Sequence, residues 1–401
     1  MFIGIGARYS FGVFLTSLGT EFSMSRGVTS SIFSIYMLLC VLFAGFGGWG
    51  LDRFGPRKLG IFIGTFTGLS FLMTSWAQSS WQLLITYSLL LSLGTGPIYG
   101  VVNTTTTRWF TRKRGFAVGI SSSGGGVGTI VIAPFAAFLI SSFGWRTAFI
   151  MLGIISWIGI VAVSFPLIKD PREMGLLPDG DKEQPHQKHI HRKEREVHPA
   201  DISLSQAIKM NQFWLLGFSW VFFSLSLHMV FVHIAAYAVD MGMSPMDASF
   251  ILSLLGLANI PGRLLVGKLS DVMGRKALGI ICNFIQFGAL LWLMWADQFW
   301  MLYAFALCFG FMWGGSGTVI TVLIGDLFGT RRLGAIMGMM SAGWALGAAI
   351  GPAIGGFIFD MSGDYFKAFG AGSGALFAVV CLLALIKKTP GNVSSPDVMS
   401  Q

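Results

Sequence analysis

Charge is what this chain of 401 residues has least of: Asp, Glu, Lys and Arg together make up 11% of it. An ordinary soluble domain carries about 25%. Too little polar surface is left to cover a body of this size in water, so a soluble enzyme is not expected. No Asp or Glu falls in the middle of any long apolar run, which removes the acidic cavity that an exporter of cationic drugs would want. Cysteine is sparse as well. Cys40, Cys282, Cys308 and Cys381 all sit inside apolar runs, with no metal-ligand spacing, and read as small buried hydrophobes. A phosphate-cradling glycine loop of the Walker kind is missing, which leaves ATP without support as an energy source. Zinc-ligand pairs and a nucleophile–base constellation are missing too, so neither an enzyme nor a bound cofactor is expected. The start has no basic n-region and no small-residue cleavage site, so a cleavable signal peptide is not expected. The chain opens directly in an apolar stretch, residues 1–19, which is short for a crossing; a native start upstream of Met1 is one expectation.

What is abundant points one way. The chain is 54% hydrophobic with a mean hydropathy of +0.70, and 53 residues are glycine. Glycine is enriched in transmembrane helices because small residues let helices approach closely. Crossing about 30 Å of hydrocarbon takes about 20 apolar residues. Twelve such runs follow one another, near 1–20, 27–49, 57–77, 81–106, 115–141, 146–168, 213–236, 246–268, 277–296, 300–324, 334–359 and 366–386. The expected fold is an all-α membrane protein of twelve transmembrane helices in two six-helix bundles. The bundles are residues 1–168 and 213–387, followed by a tail, 388–401. Between the bundles, residues 169–212 form a connector in which 16 of the 41 residues from 169 to 209 are charged.

Lys and Arg placement orients the chain. With the connector inside, 22 of the 27 basic residues are cytoplasmic; only Arg26, Arg146 and Lys367 lie outside, and Arg8 and Arg263 fall within runs. Both termini are expected in the cytoplasm, and the location is an inner, cytoplasmic membrane. The net charge of +9 then reports topology, and a nucleic-acid partner is not expected. The connector histidines His186, His189, His191 and His198 stand among cations that oppose a metal ion, and are expected to be solvated.

The halves repeat. A shift of 219 residues lays Glu21 on Asp240, Ser25 on Ser244, Asp52 on Asp271, Gly55 on Gly274, Trp81 on Trp300, and Gly124 and Gly128 on Gly343 and Gly347; after a slip of one, Pro134 meets Pro352. Six runs per half in the same orientation mean a parallel repeat about an axis along the membrane normal. Two similar bundles rocking about a shared central site is the mechanical expectation.

Two loops carry a motif. One reads Gly48-Trp-Gly-Leu-Asp52-Arg53-Phe-Gly55-Pro56-Arg57-Lys58, the other Gly267-Lys-Leu-Ser-Asp271-Val-Met-Gly274-Arg275-Lys276. Each joins a close-packing glycine, an acid at a helix end and a basic turn. This resembles the signature loop of the major facilitator superfamily, in both halves, and the likeness covers the whole chain. It implies that Asp52, Arg53, Asp271 and Arg275 latch neighbouring helices on the cytoplasmic side. Gly128, Pro134 and Pro352, on the fifth and eleventh runs, resemble that superfamily's gating helices. Narrower likeness comes from Arg8-Tyr9-Ser10-Phe11-Gly12, from Asp170-Pro171 with Gly175-Leu176-Leu177-Pro178-Asp179-Gly180, and from Asn259-Ile-Pro-Gly-Arg263. These resemble the bacterial branch of the monocarboxylate transporters and the neighbouring oxalate/formate antiporters.

Candidate site residues follow. Arg263 lies eight residues from Asp271, about 12 Å inward at 1.5 Å per residue, and a cation at that depth is functional by default. A guanidinium can clamp a carboxylate with two parallel hydrogen bonds, and the resemblance implies the same role. Animal relatives carry an Asp where this chain has Asn259, so their Asp–Arg pair for proton coupling is missing. Arg8 is either a second anion contact or a cytoplasmic flank residue, and Tyr9 aligns with the substrate-binding Lys of animal relatives. Asn103 and Tyr99, with Thr104 to Thr107, are polar enough to line a cavity. Trp313, Trp344 and Phe11 are expected to wall it for a short carbon chain. His233 with Asp240 is the expected proton relay, with His228 on another face of the same helix, since His titrates near neutral pH; a neutral packing histidine is the plain alternative.

The main expectation is a secondary transporter of a small monocarboxylate, lactate- or pyruvate-like, moved with a proton and functional as a monomer. Its rivals are an exchanger for a dicarboxylate such as oxalate, and a non-transporting membrane sensor. The eleventh run holds no Lys or Arg, which favours a monoanion over a dianion unless Arg8 is the second cation. A sensor would need a soluble output domain, which a short charged loop cannot fold.

Overall fold

A computed structural model describes residues 1–110, 114–180, 202–329 and 333–386. Arg112, Lys113, Arg331, Arg332, Lys387, Lys388 and the four connector histidines lie outside the described residues. All regular structure within them is helical. Ten helices are long and apolar enough to cross a membrane. The one at residues 117–164 runs to 48 residues and is broken at Gly144, so it supplies two crossings. The paired helices Phe2–Tyr9 and Phe11–Glu21, which meet at Ser10, supply the remaining one. That is span 1. Spans 2 and 3 are the two arms of Arg26–Ser75, broken at Gly55. Span 4 is Ser80–Trp109, with a π-helical stretch at Leu84–Leu90, and spans 5 and 6 are the arms of Arg114–Ser164. Spans 7 to 12 are Asn211–Asp240, Pro245–Met273, Arg275–Leu293, Phe299–Phe328, Leu333–Ser362 and Phe366–Leu385.

The repeat reaches the backbone. Gly55 and Gly274, 219 residues apart, both take left-handed φ, +78° and +88°. A side chain is disfavoured there, and the sharp reversal holds the basic turn tight against the helix ends. Gly144 and Gly363 repeat this at the other end of the bundles, with φ of +81° and +78°. Ser25 and Ser244 are matching N-caps: each hydroxyl accepts from the N–H three residues on.

Glycine also sets the packing. A Cβ on Gly347 or Gly351 of span 11 would strike the carbonyls of Val221 and Leu225 on span 7. Gly310 and Gly314 of span 10 lie equally close to Leu255 and Asn259 of span 8, and Gly128 of span 5 to Phe2 and Gly6 of span 1. Small residues at crossings give the backbone-to-backbone contact on which packing in lipid depends.

Call the end with the turns at Asp52 and Asp271 the basic end. The halves meet towards the other end. Gly12 of span 1 abuts the backbone of Phe231 and Val232 on span 7. Gly27 of span 2 lies against Phe357 and Asp360 of span 11, and Gly126 of span 5 against Gly256 of span 8. Ser253 of span 8 donates to the Ile130 carbonyl of span 5 at 2.8 Å. That carbonyl stands four residues before Pro134, which has no N–H to offer it. At the basic end no hydrogen bond or ion pair joins the halves among the described residues. There Tyr99 is 41% exposed, Arg263 is exposed, and Asn103 to Arg108 are half-buried, so the space between the halves opens towards the basic end.

Candidate functional site

Arg263 stands at this opening. Its Nε donates to Asn259 Oδ1 at 2.8 Å, one turn earlier on the same helix. Among the described residues no carboxylate lies within ion-pair distance of it and its terminal nitrogens have no acceptor. Gly314 of span 10 packs on the backbone of Asn259 and Arg263. Asn259 Nδ2 is buried without a hydrogen-bond partner, as is Asn103 Oδ1.

Arg8 is 6% exposed, which removes its reading as a flank residue at the basic end. Its Nε donates to the Tyr36 hydroxyl at 2.8 Å, its Nη2 lies 3.7 Å from Cys40 Sγ, and its guanidinium sits 5.5 Å from the Tyr36 ring centroid. Tyr36 in turn hydrogen-bonds Thr95 Oγ1 of span 4 at 2.7 Å. A buried cation held by a hydroxyl, a ring and a thiol, with no carboxylate at hand among the described residues, keeps its charge unneutralised. Tyr9 lies where the charges of both Arg8 and Arg263 act on it, together with Tyr99.

Around Tyr9 the rings form one strip. Phe231 lies 4.5 Å from it centroid to centroid, Trp313 6.5 Å and His228 6.0 Å; Trp344 is 5.6 Å beyond His228. Phe231 and Trp313 are themselves 5.2 Å apart. His228 is fully buried: its Nδ1 faces the Ser224 carbonyl at 2.9 Å and the Ser224 hydroxyl at 3.1 Å, and its Nε2 has no partner. Phe11, expected beside these rings, packs on Phe33 and Tyr87; Phe33 lies 6.3 Å from His228, so Phe11 stands one ring behind the strip.

His233 and Asp240 are not in direct contact. His233 Nδ1 lies 3.1 Å from the Tyr365 hydroxyl and its Nε2 2.8 Å from the Pro352 carbonyl. Asp240 pairs with Arg26 at 2.6 Å, and Arg26 also donates to Tyr365 at 2.6 Å. The chain His233–Tyr365–Arg26–Asp240 therefore bridges the halves at the end away from the basic turns. Asp360 joins it by accepting from the backbone N–H of Arg26 and Gly27.

The motif loops hold their own halves. Asp52 pairs with Arg108 of span 4 at 2.8 Å. Arg275 pairs with Asp326 of span 10, and lies 3.5 Å from Asp271. The two halves thus make the same loop-to-helix tie with the charges exchanged. Arg53 lies over the Trp49 and Phe54 rings instead of at an acid.

Five residues that matter here escaped the sequence: Tyr36, Asp326, Asp360, Tyr365 and Phe231. Asp326 and Asp360 each stand just past the end of an apolar run, which was the available signal. Tyr36 and Phe231 carry none, because an aromatic in an apolar run looks like any other.

The model of the Major Facilitator Superfamily matches residues 1–296 and again 221–398. Monocarboxylate transporter 12 of Xenopus laevis is 26% identical over 392 residues, covering 94% of this chain and 84% of its own. The Homo sapiens protein of that name is 27% identical over 89% of this chain and 72% of its own, and monocarboxylate transporter 13 of Bos taurus 23% over 93% and 85%. Among solved structures, a bacterial homolog to the human lysosomal transporter Spinster, in an inward-facing and occupied conformation, superposes with a TM-score of 0.72 at 15% identity, over 96% of this chain and 93% of that one. With ten helices among the described residues long and apolar enough to cross a membrane and a family model matched along nearly its whole length, the chain belongs to the Major Facilitator Superfamily, a family of multi-pass membrane transporters.

Proposed function

We propose that the chain carries a small organic monocarboxylate across an inner, cytoplasmic membrane together with a proton, by alternating access, and acts as a monomer. The observation that carries this is Arg263, a guanidinium at the opening between the halves whose terminal nitrogens face no anion among the described residues. Monocarboxylate transporters are the relatives it resembles along its length. With both termini and the connector placed in the cytoplasm, the basic end is the inner one and this conformation opens inward.

In this reading the carboxylate seats on Arg263 in two parallel hydrogen bonds. Asn259 orients the guanidinium through Nε, and Tyr9, Asn103 and Arg8 complete the polar surround. An unliganded cation in hydrocarbon disfavours reorientation, so the carrier turns over when the anion is bound. The proton is assigned to the chain His233–Tyr365–Arg26–Asp240, with His228 beside the site. A proton on Asp240 would free Arg26 and loosen the outer closure. Gating falls to Asp52, Arg53, Asp271 and Arg275 on the inner side, and to Gly128, Pro134 and Pro352 at the helix crossings. The halves 1–168 and 213–387 rock as units, with 169–212 as connector.

The test is uptake of labelled L-lactate into proteoliposomes, with and without an inward proton gradient, for the wild type and Arg263→Ala. Gradient-driven uptake that the substitution abolishes is the expected result. Normal uptake by Arg263→Ala overturns the assignment. Exchange only after oxalate or formate is preloaded moves the chain to the antiporter reading, in which Arg8 supplies the second cation.

A further inference from the structure

The two motif loops follow one plan, but their cations end differently. In the second half Arg275 pairs with Asp326, and Lys276 donates to the carbonyls of Ala384 and Ile386 at 2.8 and 2.7 Å. In the first half Arg53, Arg57 and Lys58 are exposed, and none of them meets an acceptor among the described residues. The Arg53 guanidinium stands instead 5.4 Å from the Trp49 ring centroid and 5.6 Å from that of Phe54.

Beside these cations runs a groove of about 480 Å³. Phe43, Phe46, Trp49 and Phe54 line it from span 2 and its turn, and Phe62 from span 3; Lys58 is the one charged residue in its wall. Span 4 closes the back, where Pro97 lies so near Gly47 of span 2 that a Cβ on that glycine would strike it. The groove is open: Phe46 is 65% exposed, Trp49 56% and Phe54 49%. All of its lining belongs to the first half, and it shares no residue with the opening at Arg263. Nor does it come with the motif. The 219-residue shift lays Trp49, Arg53, Phe54, Lys58 and Phe62 on Lys268, Val272, Met273, Ala277 and Ile281, so the rings do not recur and the two cations give way to valine and alanine.

Exposed rings on a membrane-spanning helix are covered by lipid, and basic side chains at the edge of the hydrocarbon attract anionic headgroups. We propose that this groove binds one anionic phospholipid of the leaflet at the basic end, an acyl chain along Phe46, Trp49 and Phe62 and the phosphate on Lys58. Arg53, held over the Trp49 and Phe54 rings, supplies a second cation beside the headgroup. A soluble anion would leave the rings uncovered, and a neutral lipid would leave the cations unanswered. The bound chain touches spans 2, 3 and 4 at once, next to the Asp52–Arg108 pair that ties two of them. None of this depends on what Arg263 carries.

Native mass spectrometry of the full chain, released from detergent micelles, counts bound lipid. Phosphatidylglycerol, phosphatidylcholine with the same chains, and glycerol 3-phosphate are titrated onto the wild type, Lys58→Gln, Phe62→Ala and Lys268→Gln. The first phosphatidylglycerol is expected to bind the wild type about fivefold tighter than phosphatidylcholine, the scale of one basic side chain against an anionic lipid. Lys58→Gln should lower that ratio about threefold, while Lys268→Gln, the same charge change at the same end of the second half, leaves it. Phe62→Ala should weaken both lipids and keep the ratio. A wild-type ratio near one overturns the proposal, as does a ratio that Lys58→Gln leaves unchanged. Equal loss in Lys58→Gln and Lys268→Gln assigns the preference to diffuse basic charge and overturns the groove. Glycerol 3-phosphate binding as tightly as phosphatidylglycerol overturns the lipid as occupant. Because each ratio is read on one protein sample, a folding defect does not imitate it.

Discussion

Asp360, at the end of span 11, caps the first turn of span 2: its carboxylate accepts from the backbone N–H of Arg26 at 2.9 Å and of Gly27 at 2.8 Å. Helix N-termini leave their first N–H groups unsatisfied and favour negative charge. Here the anion that answers them comes from the other half of the molecule. The cap exists only while the two halves meet at this end, so it is a closure bond as well as a helix cap.

Asp360→Ala should therefore favour opening. Losing a capping carboxylate costs about 1–2 kcal/mol, which is roughly a 5- to 30-fold change in a two-state population. Hydrogen exchange of the segment 26–31 should speed up accordingly, while exchange near Gly55 stays as it was. Unchanged exchange at 26–31 would show that Arg26 with Asp240 holds the closure alone.

Ser253 performs a second such service for Ile130. Ser253→Ala leaves the Ile130 carbonyl, already deprived by Pro134, without a donor. A buried acceptor left unmade costs about 1–3 kcal/mol. The expected result is faster exchange in the middle of spans 5 and 8, read in the same experiment.

Tyr36→Phe removes the hydroxyl that accepts from Arg8 and leaves a buried cation with a weak sulfur contact and a ring face. The expected cost is about 1.5–3 kcal/mol, the range for hydrogen bonds to charged groups, seen as a lower melting midpoint in nanodiscs. Adding Arg8→Met to Tyr36→Phe should recover much of it, since the unpaired charge is then gone.

Asn259→Asp places a carboxylate on Arg263 and fills the proposed anion seat from within the protein. Monocarboxylate uptake should fall at neutral pH and recover on acidification, when the new acid is protonated and releases Arg263. The slope of uptake against pH, compared with the wild type, is the measurement; loss at every pH would mean that Asn259 is needed for folding.

Glu21, the last helical residue of span 1 and just past its apolar run, accepts from Arg146 at 2.6 Å. That hydrogen bond, assisted by the charge on Arg146, holds its carboxyl below the ordinary carboxylate range. A depressed acid stabilises the fold above its unfolded pKa, and the contribution is lost as pH falls through the folded one. The exposed pair makes a small effect. Glu21→Gln should flatten the acid limb of the melting midpoint against pH, leaving the neutral plateau nearly unchanged.

How much was legible beforehand differs by residue. The twelve apolar runs, the 219-residue shift and the two Asp-containing loops were plain, because crossing hydrocarbon and turning sharply at its edge impose local demands on composition. Ser25 and Ser244 were visible as matching positions for the same reason. Arg263 stood out because a cation inside an apolar run is costly wherever it occurs. Helical phase cannot say which neighbour a face meets: Phe11 reaches the strip only through Phe33.

By itself, then, the sequence determined the crossings, their repeat, the sidedness of basic charge and the position of one guanidinium inside an apolar run, since each follows from the price of polar groups in lipid. Tertiary structure alone decided the partners. It took Asp240 to Arg26 instead of to His233, gave Arg275 the acid Asp326, hid Arg8 against Tyr36, and drew Tyr9, Phe231, Trp313 and Trp344 into one strip. Such pairings join residues up to 339 positions apart, as Arg26 and Tyr365 are. They arise where glycine lets one backbone touch another, and no local rule of spacing reaches that far.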